Sequence, residues 1–258
     1  MDIPPQLQAA FKHAAEAGSR HAASGDPVDL DEALMAVNMM VRQWPAGHPD
    51  LDRMLVSRAQ LLIQRYDATQ SPADLDAAIE ALGEAIAQSP SGSPHLAARH
   101  RLVGLAHMDR YLLRGQHPDL DAAVEQHEAA AALMAADDEG LPAQLEVAAR
   151  CLHERFRRDG ALGDLDETVT HLRRARELAP AGAELLPGVI GMLGTVLLDR
   201  YSALLDARDL EEATALLREA VRTTPAGSEA WENVLNDLAI CLMTPGPDDD
   251  TPKLFGKL

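Results

Sequence analysis

Aromatic residues make up only 3% of this 258-residue chain. Lysine is nearly absent: of 23 basic residues, only Lys12, Lys253 and Lys257 are lysines. Few aromatics, with alanine and leucine dominant, speak against a strand-built protein and for helices. The arginine bias is that of a high-GC genome such as an actinobacterium. Basic charge is also short, leaving a formal net charge of −18. A polyanion would be repelled, so no nucleic-acid partner is expected. The two cysteines, Cys151 and Cys241, form no CxxC pair and imply no disulfide framework. No apolar run approaches the roughly 20 residues of a membrane span. The opening MDIPPQLQAAFKHAAEAG lacks a basic region followed by an apolar one, so no signal peptide is expected and the reading is a soluble, cytoplasmic protein. Signatures of catalysis are missing too: there is no P-loop, GxGxxG, GxSxG or HExxH.

What the chain does have is a period. DLDAAIEAL begins at Asp74, and DLDAAVEQH begins 45 residues later at Asp119. Asp29-Leu30-Asp31, Asp164-Leu165-Asp166 and Asp209-Leu210-Glu211 stand on the same grid. So do Arg65-Tyr66, Arg110-Tyr111, Arg155-Phe156 and Arg200-Tyr201, and Pro45, Pro90, Pro180 and Pro225; the third unit breaks the proline series with Ala135. A fixed spacing without insertions marks a repeat architecture.

Each unit reads as two helices. The first carries apolar residues at helical spacing, as in Leu55, Ala59, Leu62 and Tyr66. A polar segment such as DATQSPA or LRGQHP follows, and DLD then starts the second helix. Its first Asp is expected at the N-cap, its second in the first turn where the helix dipole favours negative charge, and its Leu in the core. Asp29 with Glu32 and Asp164 with Glu167 have the spacing of a capping box. The arginine before each aromatic is expected to pair with a nearby acid or the last carbonyls, while the aromatic packs at the helix end. Proline ends the unit. Helix pairs are therefore expected at about 4–43, 49–89, 94–136, 140–179 and 183–224, with a capping helix at about 227–243. The solenoid would occupy 1–247, and the tail 248–258, rich in Pro, Gly and Asp, would be disordered.

These residues resemble the tetratricopeptide repeat (TPR) family. Its first helix carries a Leu-Gly pair, its second an Ala, Leu, Ala series, and a proline closes the unit. Leu193-Gly194, Ala213, Leu217, Ala220 and Pro225 match in the fifth unit. Val103-Gly104, Ala123 and Ala130 match in the third, and Ala78, Leu82, Ala85 and Pro90 in the second, where Ala59 replaces the Gly. The usual unit has 34 residues; here the extra length is expected between the helices and after the proline. This long form is similar to the repeats attached to CHAT-type peptidases of actinobacteria and fungi. The resemblance implies an all-α, right-handed α-solenoid of five TPR-like helix pairs and a capping helix. It further implies a non-catalytic adaptor that binds a protein or peptide segment in its concave groove. Two alternatives are a regulatory subunit of a CHAT-type peptidase system and an accessory, small-molecule-binding protein of specialised metabolism, even an enzyme.

The family's groove positions fall on Arg53, Val56, Gln60, Ile63 and Gln64 in the second unit, and on Ala98, Arg101, Leu105, Met108 and Asp109 in the third. In the fourth they fall on Glu146, Arg150, His153 and Glu154; in the fifth on Gly188, Gly191, Thr195 and Asp199; in the capping helix on Asn233 and Asn236. The Lys and Asn set of the family's two-carboxylate clamp is not found, so chaperone-tail binding is not expected. The arginines among these positions can fork onto a carboxylate. No cofactor or metal is expected: His100 and His107 could share a helix face but have no third ligand nearby in sequence, and Cys151 reads as a small core residue. His127 stands where Val37, Leu82, Leu172 and Leu217 stand in other units. It is expected to be partly exposed and hydrogen-bonded in a locally divergent unit, or else to mark a weak point in the stack.

Overall fold

The computed structural model describes residues 5–44, 50–90 and 92–244. Among them there are eleven helices and no strand. The chain divides into two compact units, Met1–Met134 and Ala135–Leu258. The first contains α1 (Pro5–Ser24), α2 (Pro27–Gln43), α3 (Leu51–Thr69), α4 (Pro72–Gln88), α5 (Leu96–Arg114) and α6 (His117–Leu133). The second contains α7 (Leu141–Asp159), α8 (Leu162–Leu178), α9 (Leu186–Leu204), α10 (Ala207–Thr223) and α11 (Glu229–Met243). Pro45 and the tail 248–258 lie outside the described residues.

Each pair after the first joins a 19-residue helix to a 17-residue one. The corner between them is two residues long, and its first residue is left-handed: Gly25, Gln70, Gly115, Gly160 and Leu205 all have φ between 57° and 71°. Its N–H closes the first helix by donating to the carbonyl four residues back, as from Gly160 to Phe156 at 2.6 Å. So tight a corner leaves no room for extra length between the helices, contrary to the sequence expectation. The residues beyond the usual 34 are carried by the helices instead, and DATQSPA is mostly helical.

The DLD carboxylates also do something other than cap. The caps are Asp26, Ser71, Gln116, Ala161 and Asp206, three positions earlier, and only Asp26 and Asp206 accept a backbone N–H there. Nor is there a capping box, since Asp29 and Asp164 are third helical residues. Instead the first Asp receives the arginine nine residues before it. Arg65 reaches Asp74 through Nε at 3.0 Å and Nη2 at 2.5 Å. Arg155 forks onto Asp164 at 2.9 and 2.7 Å, and Arg200 onto Asp209 at 2.8 and 2.7 Å. The second Asp receives the arginine of the following pair: Asp31 from Arg65 at 2.7 Å, Asp76 from Arg110 at 2.8 Å, Asp166 from Arg200 at 3.0 Å. Residues two apart on a helix face different ways, so one DLD ties its own first helix and the next one. Arg20 reaches Asp29 through Nε alone, at 2.7 Å, its Nη2 going to Glu32, and His21 replaces the aromatic.

The apolar positions behave as expected. Leu30, Leu75, Leu120 and Leu165 are fully buried, and Leu75 packs with Tyr66 and Ala106. His127 departs from expectation, because it is completely buried rather than partly exposed. The reason lies across the pair. A Cβ on Gly104 would come within 2.9 Å of the His127 ring, just as one on Gly194 would come within 2.7 Å of Leu217. The glycine of the Leu-Gly position is thus a socket for the residue 23 places on.

This geometry predicts a change of sign. Gly104→Ala should destabilise the chain by about 1–3 kcal/mol, the usual cost of overpacking, despite alanine's better helix propensity. In a His127→Ala background the same change should be neutral or stabilising, because the ring that the added Cβ would meet is gone. A thermal-unfolding double-mutant cycle reads the coupling, and additive effects would rule the socket out.

Candidate partner-binding face

In the first unit the first helices of consecutive pairs lie side by side and leave two clefts with α3 as their common wall. One, of about 250 Å³, lies between α1, α2 and α3, and its walls include Phe11, Ala14, Met54, Leu61 and Gln64. The other, of about 340 Å³, lies between α3 and the start of α5, lined by Arg53, Val56, His95, Ala98, Arg101 and Leu102. Ser57 and Gln60 border both. The first cleft is apolar with amide rims. The second carries Arg53, Arg99, Arg101 and His95, and among the described residues no carboxylate lines it.

The three arginines are not equivalent. Arg99 is buried and spent: its Nη2 meets Asp52 Oδ2 at 2.7 Å, and its Nη1 donates to the Ser89 hydroxyl. This pair joins α3 to α5 beneath the cleft. Arg53 is well exposed and only loosely paired with Asp50, at 3.6 Å. Arg101 is exposed at the rim. The structure therefore brings Arg53, Gln60 and Arg101 to one cleft and Gln64 to its neighbour. Met108 and Asp109, farther along α5, line neither. Burial raises the Asp109 carboxyl above its ordinary range, and the nearby Asp67 raises it further.

In the second unit two pairs of the expected residues bond to each other, and two further residues bond to neighbours outside the set. Arg150 lies 3.9 Å from Glu146 on the same helix. His153 Nε2 and Asp199 Oδ2 are 2.7 Å apart between α7 and α9, with the imidazole stacked on Phe156. Thr195 donates to Asp237 Oδ2 at 2.6 Å, tying α9 to α11. Glu154 lies 3.9 Å from Arg157, and Asn233 and Asn236 are exposed on α11.

Neither cysteine is placed for chemistry. Burial pushes the Cys151 thiol up to about 11, and Cys241 is raised in the same way. Such thiols are poor nucleophiles. His107 is lowered, mainly by burial, and its Nδ1 lies 3.3 Å from Asp119. Among the described residues no three His, Cys, Asp or Glu side chains gather as a metal ion would need. No described helix is long and apolar enough to cross a membrane.

Sequence reasoning missed the apolar cleft and the Asp52–Arg99 pair. Arg99 has no charged counterpart on the grid, where Met54, Gln144 and Val189 stand in other units, and Asp52 is matched by Ala97, Pro142 and Pro187 in the next three units; such a deviation was the available signal. Phe11, one of only three phenylalanines in the chain and well exposed, was the signal for the cleft.

Pairs of antiparallel helices, stacked first helix beside first helix, define a TPR-like helical-repeat fold, and comparison with solved structures agrees. A variant form of a putative kinesin light chain with nearly identical TPR-like repeats, from Podosopora anserina, is 18% identical. It matches with a TM-score of 0.53 over 86% of this chain and 100% of its own. BtubC (BKLC) from P. vanneervenii is 16% identical, with a TM-score of 0.51 over 100% of both chains. At these identities the likeness is one of fold. No protein-family model and no curated protein matches the chain.

Proposed function

We propose that this protein is a non-catalytic interaction scaffold whose first unit holds an extended or helical segment of a partner protein. The observation that carries the reading is the pairing of clefts on one face. An apolar cleft and a cationic one share a wall, on a chain whose net charge is −18. A segment with a large apolar side chain and a carboxylate would fill both, the carboxylate forked by Arg101 with Arg53 beside it. Gln60 and Gln64 offer amide groups along the wall. In the second unit the same reading assigns partner contacts to Glu146, Arg150, His153, Glu154, Thr195, Asp199, Asn233 and Asn236. The internal bonds of the residues on α7 and α9 make smaller effects expected there. Met108 and Asp109 extend the face on α5.

The test is capture of a partner from native lysate, followed by its affinity for variants. The long-unit resemblance makes a CHAT-type peptidase the first purified candidate to try. Arg53→Ala with Arg101→Ala should cost on the order of 2–5 kcal/mol of binding, part of it from stranding the partner's charge. Melting should be unchanged, since neither arginine is buried in the fold. Arg173→Ala with Arg174→Ala, on α8, serves as the control and should change affinity far less. Equal losses from both pairs, or loss only from the α8 pair, would move the binding face elsewhere.

A further inference from the structure

The outward side of α2 departs from that of the other second helices. On the 45-residue register Met35 stands where Glu80, Glu125, Thr170 and Ala215 stand, and Met39 where Glu84, Ala129, Arg174 and Glu219 stand. Those rows are mostly polar, as a solvated helix face is. Met35 is 65% exposed and Met39 39%, and Val28, on the same side of the helix, is 59% exposed. A shallow hollow of about 370 Å³ lies along them, lined by Met35, Asn38, Met39, Arg42 and Gln43. Among the described residues no carboxylate lines it, and Arg42 is its one charge.

α3 brings a second cation. Arg58 stands where Val103, Ala148 and Leu193 stand, and those three are 1–4% exposed. Its Nε is enclosed and donates to no acceptor. Among the described residues no carboxylate pairs with Arg58 or Arg42. α2 and α3 run antiparallel: Leu51 and Leu55 at the start of α3 cluster with Met40 and Trp44 at the end of α2, and Arg65 meets Asp31. Two turns back from Arg65 along α3 is Arg58, and two turns on from Asp31 along α2 is Asn38, in the wall of the hollow. Arg58 is therefore level with the hollow, at the seam beside it. An enclosed guanidinium N–H without an acceptor is a cost to the chain. The other pairs avoid it with an aliphatic residue in the same place.

We propose that the outward face of α2, with the α2–α3 seam, docks an acidic amphipathic helix of another protein. Its aliphatic side chains lie on Val28, Met35 and Met39, whose unbranched thioethers adapt to them. Its flanking carboxylates meet Arg42 and Arg58. Charge selects this occupant, since the face offers two cations and no acid. The site shares no residue with the two clefts beside α3, so it does not depend on the groove reading.

Fluorescence anisotropy with a helix-forming peptide tests it. The peptide carries leucines four apart on one face with glutamates beside them, and a version with lysine for glutamate is the control. The glutamate peptide should bind the intact chain about tenfold more tightly than the control, or better. Met35→Glu with Met39→Glu, the residues α4 carries at the same places, should weaken that binding about tenfold and leave melting unchanged. Arg53→Ala with Arg101→Ala should not affect it. Arg58→Leu separates docking from folding: it should weaken binding by a similar factor and yet raise the melting temperature, because the row regains an aliphatic residue. A lower melting temperature for Arg58→Leu would overturn the proposal by showing that the fold itself satisfies the guanidinium. So would equal affinity for the two peptides, or binding lost with Arg53 and Arg101 but not with the methionines. Self-association of the chain in sedimentation that Met35→Glu with Met39→Glu abolishes would assign the face to a second copy instead.

Discussion

Replacing Arg200 with methionine is expected to destabilise the second unit by about 3–5 kcal/mol, the usual cost of removing one partner of a buried ion pair. The Asp209 side chain is 7% exposed and takes both of its guanidinium bonds from Arg200. Without them a carboxylate is left desolvated beside the start of α10. Arg200 also meets Asp166 at 3.0 Å, but that side chain is 65% exposed. Asp166→Asn should therefore cost at most about 1 kcal/mol, as surface pairs do. The bond to Asp209 is also the main reason the Arg200 guanidinium is held above the ordinary arginine value. Chemical denaturation followed by helical circular dichroism compares the two variants. Similar costs would mean that the inner and outer contacts of the Arg–Asp ladder are not distinguished by burial.

Asp52→Ala should be as damaging in the first unit, by about 3–5 kcal/mol, because it strands Arg99. Arg99 and Asp52 side chains are 4% and 9% exposed, and Asp52 is the acid in contact with that guanidinium. The Ser89 hydroxyl, committed to the Ala85 carbonyl at 2.6 Å, cannot neutralise it. A buried pair removed whole behaves differently. Asp52→Leu with Arg99→Met should recover most of the loss, since apolar residues of similar volume need no solvation. Denaturation midpoints of the single and double variants give the answer, and a double variant as unstable as Asp52→Ala would show that the pair holds the α3–α5 geometry for which packing cannot substitute.

Much of the fold is legible in the amino-acid pattern alone. Helices α3 to α10 fall within a few residues of the expected pairs because the 45-residue grid shows one pattern repeatedly, and each unit corrects the reading of the others. The buried leucine of DLD and the burial of Tyr66 and Tyr201 at their helix ends also follow from periodicity. The groove positions are legible only in part. Arg53, Gln60 and Arg101 meet at one cleft, but Phe11 and Met54, which shape the next one, lie on a helix or at a position that the family's groove pattern does not include.

The sequence by itself determined the unit length, the helical class and the register of the core, since these depend on spacing along one chain. Which partner each charge takes was decided only in three dimensions. An aspartate near a helix start can cap backbone N–H groups or accept a guanidinium, and its neighbours in sequence do not choose between them. The two-residue left-handed corner makes the choice: it folds Arg65 back over Asp74, nine residues on, and stacking sets the same arginine against Asp31 of the preceding pair. His127 follows the same rule. Its ring is polar in sequence, yet it is completely buried because the facing residue, 23 positions away, is a glycine with no Cβ to exclude it.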